Sequence, residues 1–196
     1  YYLFLVLSIL ITTAGLLLKS SPIIIGGMII APILTPILAC SLALLLFEGK
    51  GLVRAITIIL ISVVVAFLLS TVMAYVTFLT EPSTYVIEYI PGIIPPGMYF
   101  LVAFSAGIAG AFAFVKEHLS SSISGVVVSA SLVPPLCAMG IGVALKDASL
   151  AERSLSIFLL NLGGIVFAAT LVFWILGFRQ ARKLEEKVVE KVDGGS

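Results

Sequence analysis

The stretch Ser20-Ser21-Pro22-Ile23-Ile24-Ile25-Gly26-Gly27-Met28-Ile29-Ile30-Ala31-Pro32-Ile33-Leu34-Thr35-Pro36 sets three prolines in an otherwise apolar run. Pro22 falls in the first turn of a helix, where its missing amide has no partner to lose. Pro32 and Pro36 lie about 10–15 residues into the run, which at about 1.5 Å per residue is near the middle of a bilayer. Each removes a main-chain donor and strands a carbonyl one turn earlier. In hydrocarbon such a group costs several kcal/mol, so it persists only where protein or a water-filled cavity satisfies it. The stretch predicts a proline-broken membrane helix.

The rest of the chain makes the membrane setting firm. Of 196 residues, 61% are apolar and 11% charged, and the mean hydropathy is +1.26. Soluble domains average about 45–50% apolar and about 25% charged. Six apolar runs reach the length that a spanning helix needs, roughly 2–18, 22–47, 55–80, 98–115, 122–145 and 154–178. The alternating segments of a membrane barrel are absent from the sequence. The expected fold is an all-α integral membrane protein with six transmembrane helices.

Sliding the chain against itself by 99 positions aligns its halves. Ser21 falls on Ser120, Gly26 on Gly125, Ala31 on Ala130, Pro36 on Pro135 and Ala39 on Ala138. Beyond the apolar runs, Glu48 meets Asp147 and Arg54 meets Arg153; within the third helices Ser62 meets Asn161 and Thr71 meets Thr170. Three spans per half is an odd number, so the second half must run upside down relative to the first. That is the 3+3 inverted repeat common among secondary transporters. The expected organisation is a first three-helix repeat over 1–80, an outer linker over 81–97, a second repeat over 98–178 and a charged tail over 179–196.

The counterpart of the opening stretch is Ser120-Ser121-Ser122-Ile123-Ser124-Gly125, followed by Ser129-Ala130-Ser131-Leu132-Val133-Pro134-Pro135. Adjacent prolines push Val133 and Pro134 away from helical dihedrals, so a second break is expected near 130–135. Two breaks at matching positions of inverted halves would meet near the middle of the membrane, where half-helix ends hold ions and solutes. Gly26, Gly27 and Gly125 would let the backbones approach. Ala31, Pro32, Pro36, Pro134 and Pro135 frame the breaks, and Thr35, Ser129, Ser131, Ser62 and Asn161 supply polar ligands. Ala103, Ala106, Gly107 and Gly110 form a small-residue packing stripe, and Gly163-Gly164 reads the same way.

Several functions are excluded or disfavoured. A net charge of +1 argues against nucleic acid. No acidic or basic residue lies in the centre of any run, which disfavours a proton relay. Cys40 and Cys137 sit in apolar runs without metal-ligand spacing, and His118 is the single histidine. No nucleophile–base pair or phosphate loop is present in the sequence, so no enzyme, catalytic residue, metal or cofactor is expected. Glu48, Glu117 and Asp147 stand beside basic residues at run ends, where ion pairs are expected. The apolar, helix-breaking 90–97 segment is expected to lie across the outer interface.

With six spans both termini share a side. Lys50, Arg54, Lys116 and the five basic residues of the tail fall on that side, against Lys19, Lys146 and Arg153 on the other. The excess places both ends in the cytoplasm of a multi-pass inner-membrane protein. Tyr1 opens inside an apolar run without the marks of a signal peptide, so the chain is expected to be a piece or a processed product. Gly194-Gly195-Ser196 reads as an appended linker.

The run Gly26-Gly27-Met28-Ile29-Ile30-Ala31-Pro32 with Pro36, and the later Ser131-Leu132-Val133-Pro134-Pro135 with Gly140, resembles the DUF389 family of prokaryotic membrane proteins. The similarity extends over residues 1–178. It implies a membrane architecture and, in many members, a preceding soluble domain, but no substrate. The function expected from the residues is a secondary-transporter-like permease for a small solute or ion. The alternatives are a passive channel, or a non-transporting scaffold or sensor coupled to a soluble domain. The expected partners are the lipid bilayer, the solute and a second copy of the chain.

Overall fold

A computed structural model describes residues 1–80, 96–115 and 121–177, and every regular element among them is helical. The elements are α1 (Tyr2–Leu17), α2 (Ser21–Ile30), α3 (Leu34–Leu46), α4 (Gly49–Thr80), α5 (Pro96–Val115), α6 (Ser121–Ala144) and α7 (Ala148–Ile175). Each of the six apolar runs is one helix, apart from the second, which is the pair α2 and α3. Among the described residues three helices are long and apolar enough to cross a membrane, or four if the bent pair is one span. The outward face of α4 carries Val53, Leu60, Val64, Leu68, Val72 and Val76, each more than half exposed. Such a stripe is unsuited to water and is of the kind that a membrane would cover. The chain is a membrane-type helical protein. The 90–95 part of the apolar segment, Lys116, Glu117, His118 and the charged tail lie outside the described residues.

Helix boundaries repeat within one residue of the 99-residue spacing: α3 ends at Leu46 and α6 at Ala144, and α4 starts at Gly49 and α7 at Ala148. The corners between second and third runs match in detail. Phe47 and Lys146 are both left-handed, with φ of 53° and 57°. Glu48 N–H donates to Ala43 O at 3.0 Å, and Asp147 N–H to Gly142 O at 2.8 Å. Both corners are thus the same six-residue closure that satisfies the last helical carbonyls.

Burial repeats as well. The inward residues of α4 are Ala55, Ile59, Ser62, Ala66, Ser70 and Ala74. Moved by 99 positions, all six land on buried residues of α7: Ser154, Phe158, Asn161, Ile165, Ala169 and Phe173. On α4 these are mostly small, which brings neighbouring backbones close. The stripe expected on α5 packs as anticipated: Ala103 and Ala106 are buried, and a Cβ on Gly107 would stand 2.7 Å from Ile165 O of α7. Gly164 returns the contact from α7, against Ala103 and Phe100. Gly163, by contrast, faces open space.

The ion pairs expected at run ends take a different form at Asp147. Its carboxylate caps α7, accepting from Leu150 N–H at 3.0 Å and from Ser149 Oγ at 2.7 Å. These bonds, with a smaller pull from Arg153, hold its pKa below the ordinary carboxylate value.

Candidate functional site

The two proline regions take different forms. In the first, α2 ends at Ile30 and α3 starts at Leu34, with a bend of 54° between them. The cause is local. Ala31 precedes Pro32 and adopts an extended conformation, with φ −64° and ψ 121°, as a residue before proline prefers. Its N–H closes back on Met28 O at 3.3 Å, serving the carbonyl that Pro32 would strand. Pro36 then falls in the first turn of α3, where its missing donor costs nothing.

In the second region the expected break does not form. α6 is continuous from Ser121 to Ala144, with Pro134 and Pro135 inside it. Two differences explain this. The position matching Pro32 is Ser131, which keeps its amide and does not force its predecessor out of the helix. The carbonyl that Pro135 deprives of a donor belongs to that same Ser131, four residues back. Asn161 Nδ2, reaching over from α7, donates to Ser131 O at 2.6 Å. A side chain thus replaces one of the two main-chain donors that the prolines remove, the one lost by Pro135, as happens where membrane helices tolerate proline. Packing adds a clamp: Leu132, Val133, Leu136, Cys137 and Ala138 are all almost wholly buried. On α2 only Gly27 is buried.

Both regions meet in one core. Ala31 and Ile33 share an apolar cluster with Leu132, Val133, Leu136 and Cys137 of α6, Phe158 of α7 and Leu5 and Ile9 of α1, and α2 packs directly on α6. Pro36, Ser131, Pro134 and Pro135 are buried there, Pro32 is half-buried, and Thr35 is exposed on the first turn of α3.

Other expected site residues do different work. Gly27 does permit a close approach, but of α1: a Cβ there would meet Thr12 Oγ1 and stand 2.8 Å from Thr12 N. Gly26 has nothing within 4 Å of its Cβ position. Gly125 and Ser129 lie on α6, and their surroundings fall outside the described residues. Ser62 is buried but does not mirror Asn161; it donates to Ile58 O at 2.8 Å and shares a 2.9 Å hydrogen bond with Tyr1 Oη.

Two hydrogen bonds that cross between the halves complete the geometry. Thr71 Oγ1 of α4 lies 3.2 Å from Gly140 O of α6, and Thr170 Oγ1 of α7 lies 3.4 Å from Ser41 O of α3, each hydroxyl being shared with a carbonyl of its own helix at 2.7 Å, Phe67 O and Val166 O. Thr71 and Thr170 are 99 positions apart, and so are Ser41 and Gly140. Exchanging the halves turns one bond into the other. Gly140 is the residue that sequence reasoning missed at this interface. A Cβ there would stand 2.8 Å from Phe67 O and 3.0 Å from Thr71 N, and would also collide with Ser70 Oγ.

The chain is 28% identical over 192 residues to an uncharacterised protein of Methanocaldococcus jannaschii, covering 96% of this chain and 58% of that one. It therefore spans a little under three fifths of that relative's length. No solved structure matches the chain. The family model for a domain of unknown function, DUF389, matches residues 28–167, from the last turn of α2 to well within α7. The chain belongs to the DUF389 family.

Proposed function

We propose that the two halves form a 3+3 inverted repeat of six spans, and that the protein is a permease for a small solute or ion. The exchanged pair of hydrogen bonds supports the repeat, because only a twofold operation returns each half to the place of the other. An odd number of spans per half sets that axis in the membrane plane. The α2–α3 break carries the transport reading. It interrupts an apolar helix inside the core shared by both halves, which is where discontinuous helices of transporters hold their cargo. The solute would lie at Ala31–Pro36, against the α6 face bearing Ser131. The basic corner at Lys50 and Arg54 would face the cytoplasm.

Flux measured in reconstituted vesicles tests this reading. Vesicles holding dyes for protons, sodium, potassium and chloride should show saturable flux of at least one ion above protein-free vesicles. Pro32→Ala, which returns a main-chain donor at the break and frees Ala31 from the pre-proline restriction, should lower that flux several-fold without lowering the yield of folded protein. Non-saturating flux would favour a channel. Flux equal to protein-free vesicles for every ion and for a panel of small neutral solutes would leave the scaffold reading.

A further inference from the structure

The α6 helix is unusual in staying continuous where its sequence favours interruption, and the bond that serves it there comes from a distant residue. Pro135 cannot donate to Ser131 O, and Asn161 Nδ2 occupies that role at 2.6 Å. Asn161 is only 4% exposed, yet its Oδ1 accepts no hydrogen bond from the described residues. The side chain is therefore fixed through its Nδ2, by the bond to the proline-deprived carbonyl. A buried amide with its second polar atom unserved is an expensive group to keep in an apolar core. A structural need on α6 accounts for it.

We propose that Asn161 is a latch: its amide holds α6 in the continuous form, and release of that one bond lets α6 open at Ala130–Pro135 into a bent pair like α2 and α3. Asn161 is a positioning residue in this role and need not touch any solute. The matching residue in the first half is Ser62, whose hydroxyl is spent on Ile58 and Tyr1. The helix on that side is already open. The molecule thus holds one open and one latched helix at corresponding places, and the latch is the element through which the second can change state. This inference concerns the state of α6 and holds whatever the protein carries.

Cys137 supplies a reporter. It lies two residues beyond Pro135, is fully buried, and its thiol faces Ile9 O of α1 at 4.0 Å. In a Cys40→Ala background, alkylation of Cys137 by a membrane-permeant maleimide reads the opening of α6. Asn161→Ser, which gives α7 the residue found on α4, should speed alkylation about fivefold or more, the factor for a bond of about 1 kcal/mol. Adding Pro135→Ala returns a main-chain donor to Ser131 O and should restore the slow rate. Thr170→Val, which removes an equally central bond that serves no proline, should leave the rate unchanged. Should Asn161→Ser fail to fold, recovery of folded protein by Pro135→Ala is the expected result. Alkylation of Asn161→Ser as slow as the parent, or a defect that Pro135→Ala does not relieve, overturns the latch. The flux assay does not enter this test, so it fails or succeeds apart from the transport reading.

Discussion

The two proline regions hold corresponding places in the sequence and take opposite forms in the structure. Around Pro32 and Pro36 the chain splits into two helices bent by 54°; around Pro134 and Pro135 it stays one helix. Proline alone therefore does not decide whether a membrane helix breaks. Each proline in a helix interior costs about 3 kcal/mol or more, α6 holds two, and the single side-chain hydrogen bond from Asn161 recovers about 0.6–2 kcal/mol of that. What remains must come from packing, and α6 has it: neighbours on α1, α2, α4, α5 and α7 surround it. α2 has α1 on one side and little on its outer face, where Ile25 and Ile29 are more than half exposed. The helix with a donor and a full set of neighbours stays whole. The helix without them yields at Ala31, the residue before Pro32.

The largest effect is expected where the two halves touch most closely. Gly140→Leu would drive a side chain into the backbone of α4 at Phe67 and Thr71, and forced overpacking costs about 1–3 kcal/mol, occasionally more. It should lower the yield of folded, monodisperse protein sharply, whereas Gly163→Leu, in open space, should be tolerated. Equal yields from the two variants would contradict the packing of α4 on α6. A smaller loss is expected from the exchanged hydrogen bonds. Thr71→Val and Thr170→Val should each lower thermal stability by about 0.6–2 kcal/mol and by amounts alike within error. Markedly unequal losses would show that the two interfaces are not equivalent.

The smallest effect lies at the corners. Asp147 has a depressed pKa because Leu150 N–H and the Ser149 hydroxyl bond its ionised form. Its contribution to stability is fully present above the ordinary carboxylate value and is lost as pH falls through the lowered one. Thermal unfolding of the parent should therefore weaken across that acid range more steeply than that of Asp147→Asn, which caps α7 without titrating. Identical acid profiles would remove the capping role from the charge.

Much of this was legible in the sequence because it rests on local chemistry. Apolar length marked six helical runs, and the prolines marked the interruption between α2 and α3; the pre-proline rule as applied to Val133 and Pro134 did not hold, because α6 is continuous there. The match of Glu48 with Asp147 marked corners that prove alike in conformation. What escaped was long-range. Nothing near Pro135 reveals that its missing donor arrives from Asn161 on the next helix. Gly140 gave no local sign that α4 would rest on it, and Gly27 was matched to the wrong neighbour because α1, not α6, lies against that turn of α2. Asn161 was legible as a polar residue of consequence, while the group it serves was not.

The inverted relation of the halves can be tested at two equivalent exposed residues. Lys50 and Ser149 stand 99 positions apart, each one residue inside the first turn after its corner. With Cys40 and Cys137 replaced by Ala, Lys50→Cys and Ser149→Cys should react with a membrane-impermeant maleimide from opposite faces, Lys50→Cys only after the cytoplasmic side is opened. Labelling of both cysteines from the same face would contradict the inverted repeat.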